Sequence, residues 1–231
     1  MNVRILQQIE GARAARGITV VIDVFRAFST EAYLLAKGAE RILPVGDAAL
    51  AYRMKEEHPH FLLAGERHGR ILPGFDLGNS PSEASALDVL GKTVVHTTSA
   101  GTQGIIHATH ADVILGGSLV NAAATAEYIR RSGAREVSLV CMGLEALAPS
   151  EEDTLCALYL ESLLLGKPFD VDREIPRLRA TSGAKFFDEA QKDVFPREDF
   201  FLCTARDRFP FALVLQKDED GVPFMTKHEV L

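Results

Sequence analysis

The stretch that most constrains this chain is Ile18-Thr19-Val20-Val21-Ile22-Asp23-Val24, almost wholly β-branched. Its side chains do not alternate apolar with polar, so they predict a strand buried on both faces. Such a strand needs a layer of structure on each side, and the flanking sequence provides it. Further apolar runs at 41–45, 61–65, 92–97, 113–115 and 136–142 alternate with helical patterns at about 28–37, 47–57, 82–90, 105–109, 121–131 and 150–165. Strands alternating with helices predict an α/β protein, a three-layer α/β/α arrangement around a mostly parallel or mixed central sheet. A length of 231 residues suits a single domain over 1–231, with two closely packed halves as the alternative. Residues 172–190 read as helical with breaks at Pro176 and Gly183, and 211–215 with 223–226 read as a hairpin around Asp220-Gly221.

The segment 62–81 starts as a strand and then loses regularity. Its four glycines and two prolines oppose any long helix or strand. It nevertheless carries Glu66, Arg67, His68, Arg70, Asp76, Asn79 and Ser80. A long loop dense in acid, base and amide groups reads as a site more readily than as a spacer. In sheets of the expected kind, polar residues at the carboxyl ends of strands gather on one edge. Here those residues are Asp23 and Arg26, Glu66 and Arg67, the turn at 97–102, and Gly143 with Glu145.

Asp23 ends the apolar strand, a position that suits a metal-binding or nucleophilic carboxylate; a helix cap is the bland alternative. Arg26, Ser29 and Thr30 fall where a helix start would offer N–H groups and a positive dipole end to an oxyanion, though a simple cap explains Ser29 alone. The turn Thr97-Thr98-Ser99-Ala100-Gly101-Thr102 resembles an anion cradle but lacks the lysine of a Walker loop. Ser150-Glu151-Glu152-Asp153 opens a helix, and capping explains these residues as well as a metal role does. Arg67-His68-Gly69 after a strand suggests a phosphohistidine-type phosphatase, with His96 as a second histidine.

Net charge is -7. An acidic chain without basic runs makes a poor partner for nucleic acid or anionic membrane, so a bound anion must be held by local cations and N–H groups. No apolar run approaches a membrane span, and the first residues lack a signal-peptide core. Cys141, Cys156 and Cys203 are widely spaced and read as buried thiols, which leads us to expect a cytoplasmic setting. The sequence allows a homodimer without requiring one.

Several motifs together resemble the 2-phosphosulfolactate phosphatase (ComB-like) family. They are Val21-Ile22-Asp23-Val24-Phe25-Arg26-Ala27-Phe28-Ser29-Thr30, then Ala64-Gly65-Glu66-Arg67 with Gly74-Phe75-Asp76-Leu77-Gly78-Asn79-Ser80-Pro81, then Thr97-Thr98 with Gly101-Thr102, and finally Glu152-Asp153-Thr154-Leu155-Cys156-Ala157. The resemblance implies a layered α/β/α hydrolase that uses Mg2+ to remove phosphate from 2-phospho-3-sulfolactate, a step of coenzyme M biosynthesis.

Joined to the residue reading, it gives a set of expectations. Asp23, Glu66 and Asp76, with Asp153 behind them, are the candidate metal ligands. Asp23, Arg26, Glu66, Arg67 and Asp76 are the candidate catalytic residues, with Arg26 and Arg67 on the anion. Ser29, Thr30, Asn79, Ser80, Thr97, Thr98, Gly101 and Thr102 are expected to contact a small anionic phosphorylated substrate. A non-catalytic domain for small anions would use the same arginines and turns but would not need clustered acids.

Overall fold

The protein is described over residues 1–230 in a computed structural model. The elements run β1 (Asn2–Gln7), α1 (Gln8–Ala14), β2 (Gly17–Ile22), α2 (Ala27–Ala36), β3 (Arg41–Pro44), α3 (Ala48–Glu57), β4 (Leu62–Arg67), β5 (Arg70–Ile71), α4 (Pro81–Ala86), β6 (Thr93–Thr97), α5 (Gly101–His107), β7 (Ala111–Gly117), α6 (Ala122–Ser132), β8 (Glu136–Cys141), α7 (Glu151–Leu165), α8 (Val171–Glu174), α9 (Arg197–Cys203), β9 (Phe211–Lys217) and β10 (Pro223–Glu229).

The expected two-sided strand is β2. Ile18, Val20, Ile22 and Val24 point into a core with α6 and α7, while Val21 points into the opposite core with α1, α2 and α5. Period-two side-chain alternation thus feeds both faces at once, which fixes three layers. A third cluster, built on Leu43, Phe61, Leu63 and Val95, packs under α3.

Among the described residues ten strands join one mixed sheet in the order β1-β8-β2-β7-β9-β10-β3-β6-β4-β5. It holds two parallel groups. In one, β1, β2 and β7 run parallel with β8, and in the other β3 and β4 run parallel with β6. The hairpin β9–β10 separates them through three successive antiparallel pairings. In a flat sheet, three reversals would aim the carboxyl ends of the two groups in opposite directions. Strands twist by roughly 20–25° from neighbour to neighbour, and that rotation accumulates over the six steps from β2 to β4. The ends of β2 and β6 are brought together: a Cβ placed on Gly101, after β6, would stand 2.7 Å from Ala27 Cβ and 3.0 Å from Asp23 Oδ2, after β2.

Three regions depart from the sequence reading. Residues 172–190 form the short α8 and three 3-10 turns, Ile175–Ala180, Ala184–Phe187 and Glu189–Gln191. Pro176 removes a helix donor, and Gly183 lies so close to Phe200 that a Cβ would sit 2.5 Å from its ring. Leu178 and Phe186 are buried, so packing holds the segment together with short 3-10 hydrogen bonds such as Phe186 N to Gly183 O at 3.1 Å, not a continuous helix ladder. The elements β1, α1 and α9 were not expected from the sequence. Edge strand β1 carries Arg4 and Gln7 and is only half-buried, so its pattern is weak.

Candidate active site

A cavity of about 130 Å³ opens where these strand ends meet. Its acidic wall is Asp23, Glu66, Glu145 and Glu152; its basic groups are Arg26, His68 and Lys185; Asn79, Ser99 and Phe195 complete the parts used below. This is far smaller than the ~300–1,000 Å³ of pockets that enclose drug-sized ligands, so a small polar molecule is the fitting occupant.

Asp23 leaves β2 and is buried. Its Oδ1 accepts the Ala27 N–H at 3.1 Å, and its own N–H bonds Gly117 O. Burial, then the negative charges of Glu66 and Glu152, pushes its carboxyl up to about 6, against the lowering effect of the Ala27 and Gly101 N–H groups. Glu66 is fixed from both sides. One oxygen accepts the Ser99 N–H at 2.7 Å, and the other accepts the Gly69 N–H at 2.7 Å and the Ser99 hydroxyl at 3.3 Å. Glu152 is buried on the first turn of α7, and among the described residues its Oε2 has no hydrogen-bond partner; buried Asn79 Oδ1 has none there either. Unpaired oxygens out of water are costly, and here both belong to residues that line the cavity.

Arg26 lines the same space. Its Nη1 donates to Asp199 Oδ2 at 2.7 Å and its Nη2 to Gly69 O at 3.3 Å, while the Phe195 ring lies 5.0 Å from the guanidinium carbon. His68 is 81% exposed, and its Nδ1 meets Glu145 Oε1 at 2.8 Å.

Several expected residues stand elsewhere. Asp76 does not reach the cavity: its Oδ2 accepts the Leu63 N–H at 2.8 Å and faces Lys55, which makes it a tie for the loop. Arg67 turns back onto the sheet, donating to Glu66 O of its own strand and to Thr97 Oγ1 of β6. Ser29 Oγ donates to Val24 O and meets Ser118 Oγ at 2.6 Å, and Thr30 Oγ1 donates to Arg26 O, so both hydroxyls serve the start of α2. The α2 N–H groups expected to hold an oxyanion serve Asp23 instead: Ala27 N reaches its side chain and Phe28 N its carbonyl.

Thr98 and Thr102 close on one another, with Thr98 N donating to Thr102 Oγ1 and Thr102 N to Thr98 Oγ1. From that turn Ser99 and Ala100 face the cavity, while Thr97, Thr98, Gly101 and Thr102 do not line it. Gly101 contributes closeness instead, as its missing Cβ is what lets α5 approach Asp23. Ser80 caps α4 and donates to Asp199 Oδ1 at 3.0 Å. Asp153 lies behind the wall, and its two oxygens accept the Val24 and Gly143 N–H groups at 2.8 Å each. It binds the ends of β2 and β8 together, and burial with the charges of Glu152 and Asp23 raises its carboxyl well above the ordinary range.

The sequence reading missed Glu152, Lys185, Phe195 and Asp199. Glu152 was masked by the capping explanation, yet Ser150 makes no side-chain cap bond in the structure. The other three come from the irregular segment, the turn after it and α9, which carry no motif. His96, the second histidine of the phosphohistidine alternative, is fully buried and paired with Glu31 at 2.8 Å, away from the cavity.

Compared with known proteins, the chain falls among the phosphoric monoester hydrolases. A family model described as 2-phosphosulpholactate phosphatase matches residues 3–176, and the chain belongs to that family. A Bacillus subtilis protein named probable 2-phosphosulfolactate phosphatase is 29% identical over 220 residues, covering 94% of this chain and 95% of the relative. Proteins with the same name from Caldicellulosiruptor saccharolyticus and Carboxydothermus hydrogenoformans are 41% and 42% identical over 150 and 145 residues. Those matches cover 63% of this chain in each case, and 62% and 59% of the relatives. Lys185, Phe195 and Asp199 lie beyond the segment that the family model matches.

Proposed function

We propose that the chain is a magnesium-dependent phosphatase that hydrolyses 2-phospho-3-sulfolactate, or a closely related phosphorylated hydroxy acid, to the free hydroxy acid and phosphate. The names of the relatives support the substrate. The observation that carries the reading for this chain is the unpartnered Glu152 Oε2 in a cavity it shares with Asp23, Glu66 and Asn79.

The donors suit a hard divalent cation. They are carboxylate and amide oxygens, two of them buried without partners among the described residues, and burial, with the charges of Glu66 and Glu152, already drives Asp23 toward protonation. Among the described residues no three His, Cys, Asp or Glu side chains are grouped so as to hold a metal ion by themselves. Magnesium characteristically takes one or two carboxylates and completes its shell with water and phosphate oxygens. Glu152, Asp23 and Asn79 Oδ1 would hold it. Bound there, it would supply positive charge to the phosphoryl oxygens and favour an ionised attacking water.

The remaining groups shape the cavity or meet the ester. Glu66, locked by Ser99 and Gly69, keeps the turn before α5 against the cavity, so that Ser99 and Ala100 form its floor. Arg26 has further N–H donors beyond its bonds to Asp199 and Gly69, and these would meet a phosphate oxygen. The test is phosphate release from a panel of phosphorylated hydroxy acids with magnesium and with excess chelator. Magnesium-dependent release greatest on 2-phospho-3-sulfolactate is expected. Full activity in chelator would overturn the metal assignment.

A further inference from the structure

The cavity must admit a highly negative ester past four carboxylates, so its basic groups decide what can enter. Arg26 is committed to Asp199 and Gly69 O, and His68 is committed to Glu145. Lys185 differs from both. Among the described residues its ammonium has no carboxylate or hydrogen-bond partner, yet it lines the cavity. What surrounds it is aromatic: the ring centres of Phe195, Phe186 and Phe25 lie 5.1, 5.6 and 5.9 Å away. Rings attract a cation through their faces but accept no strong hydrogen bond and do not neutralise it. All three N–H donors of the ammonium therefore remain for a ligand. The backbone beneath it is held in place, because the neighbouring Phe186 is buried and stacks edge-on against Phe25 and Phe195.

We infer that Lys185 is the specificity-determining residue that holds the second, non-transferred anion of the substrate, a carboxylate or sulfonate next to the ester carbon. The assignment rests on the phosphatase reading above. It divides the cavity into two functions: the acidic wall with its cation and Arg26 serve the phosphoryl group, and Lys185 serves the acid group. A phosphomonoester with a neutral tail would leave the Lys185 ammonium without its anion.

The experiment compares three esters on wild type, Lys185→Met and Lys185→Arg: 2-phospho-3-sulfolactate, 2-phospholactate and propane-1,2-diol 2-phosphate. They carry a sulfonate with a carboxylate, a carboxylate alone, and no second acid. A charge-assisted hydrogen bond is worth about 1.5–3 kcal/mol, so Lys185→Met is expected to cut the preference for acid-bearing over neutral ester by about 10–100-fold. The loss should appear in KM more than in kcat, and Lys185→Arg should restore most of it. A larger loss on the sulfonated ester than on 2-phospholactate assigns the contact to sulfonate, and an equal loss assigns it to carboxylate. Should methionine disturb the aromatic cluster, as a lowered melting temperature would show, Lys185→Gln takes its place. A preference ratio unchanged in an active, folded variant would overturn the assignment, as would an equal loss on all three esters. Wild-type protein that releases phosphate from none of them would instead sink the phosphatase reading, and the assignment with it.

Discussion

Arg26 Nη1 lies 2.7 Å from Asp199 Oδ2, across 173 residues of chain, and both side chains are out of water. The other oxygen of Asp199 accepts from Ser80 Oγ at 3.0 Å and Ser82 N at 2.9 Å. One carboxylate therefore joins the starts of α2 and α4 to α9 and sets how Arg26 meets the cavity. Removing one partner of a buried pair leaves an uncompensated charge, at about 3–5 kcal/mol. Asp199→Ala is expected to lower the melting temperature by roughly 10 °C, at ~2–4 °C per kcal/mol for a chain of this size. A melt indistinguishable from wild type would show that Arg26 finds its charge balance elsewhere.

Asp23→Asn is expected to abolish turnover while the fold stands. Asparagine can keep the bond from Ala27 N but carries no charge to hold a cation. The loss should be on the order of 4 kcal/mol of transition-state stabilisation or more. Phosphate release at saturating substrate and magnesium, read beside a thermal melt, checks it. A folded variant within about tenfold of wild type, ~1.4 kcal/mol, would reduce Asp23 to a cap for α2.

Burial and its acidic neighbours raise the Asp23 carboxyl from an ordinary 3.8 to about 6. The folded protein thus holds this proton more tightly than the unfolded chain does. The stabilising contribution is full below about pH 4 and is lost as pH rises through about 6. In chelator, wild type should lose on the order of 2 kcal/mol from this group between pH 4 and pH 7, and Asp23→Asn should not. Denaturant melts across that range test the point. A wild-type-minus-variant difference that stays flat with pH would contradict it.

Glu152 and Asp76 offer a contrast between two acids of separate sequence motifs. Glu152→Gln should raise the magnesium concentration needed for half-maximal activity by about tenfold or more, since metal-site ligands are costly to replace. Asp76→Ala should leave that concentration alone and lower stability by about 1–2 kcal/mol, the cost of losing the Leu63 N–H bond. A magnesium titration of both variants decides it, and the reverse pattern would return Asp76 to the metal site.

His68→Ala and Arg67→Ala are both expected to keep activity within about tenfold of wild type. His68 stands in solvent, and Arg67 bonds Glu66 O and Thr97 Oγ1 and does not line the cavity. Phosphate trapped on His68 during turnover, seen by acid-labile labelling, would reinstate the phosphohistidine mechanism.

How much could be read from the sequence differs by element. The two-sided burial of β2, the carboxylate at its end and the strand–helix alternation follow from local pattern, and the structure has them. The Asp47 cap of α3 is likewise local and present, accepting the Ala49 N–H at 3.0 Å. What stayed hidden depends on which side chains a hydroxyl or carboxylate meets across the fold. Thr98 and Thr102 look free in sequence but satisfy each other, and Asp76 looks like a ligand but holds a strand. Lys185 and Asp199 sit in segments whose position comes from aromatic packing, which has no short-range period to read.

The β9–β10 hairpin has a consequence for how the protein is made. Among the described residues nothing else lies between β7 and β3 in the sheet, yet its strands are translated after both. On the ribosome, the two parallel groups emerge with facing edges unpaired, and such edges readily recruit a neighbouring chain. Nascent chains stalled before Phe211 should therefore be captured by chaperones or pair with one another. The catalytic pocket, which needs both groups in register, should mature only when the hairpin has closed the gap.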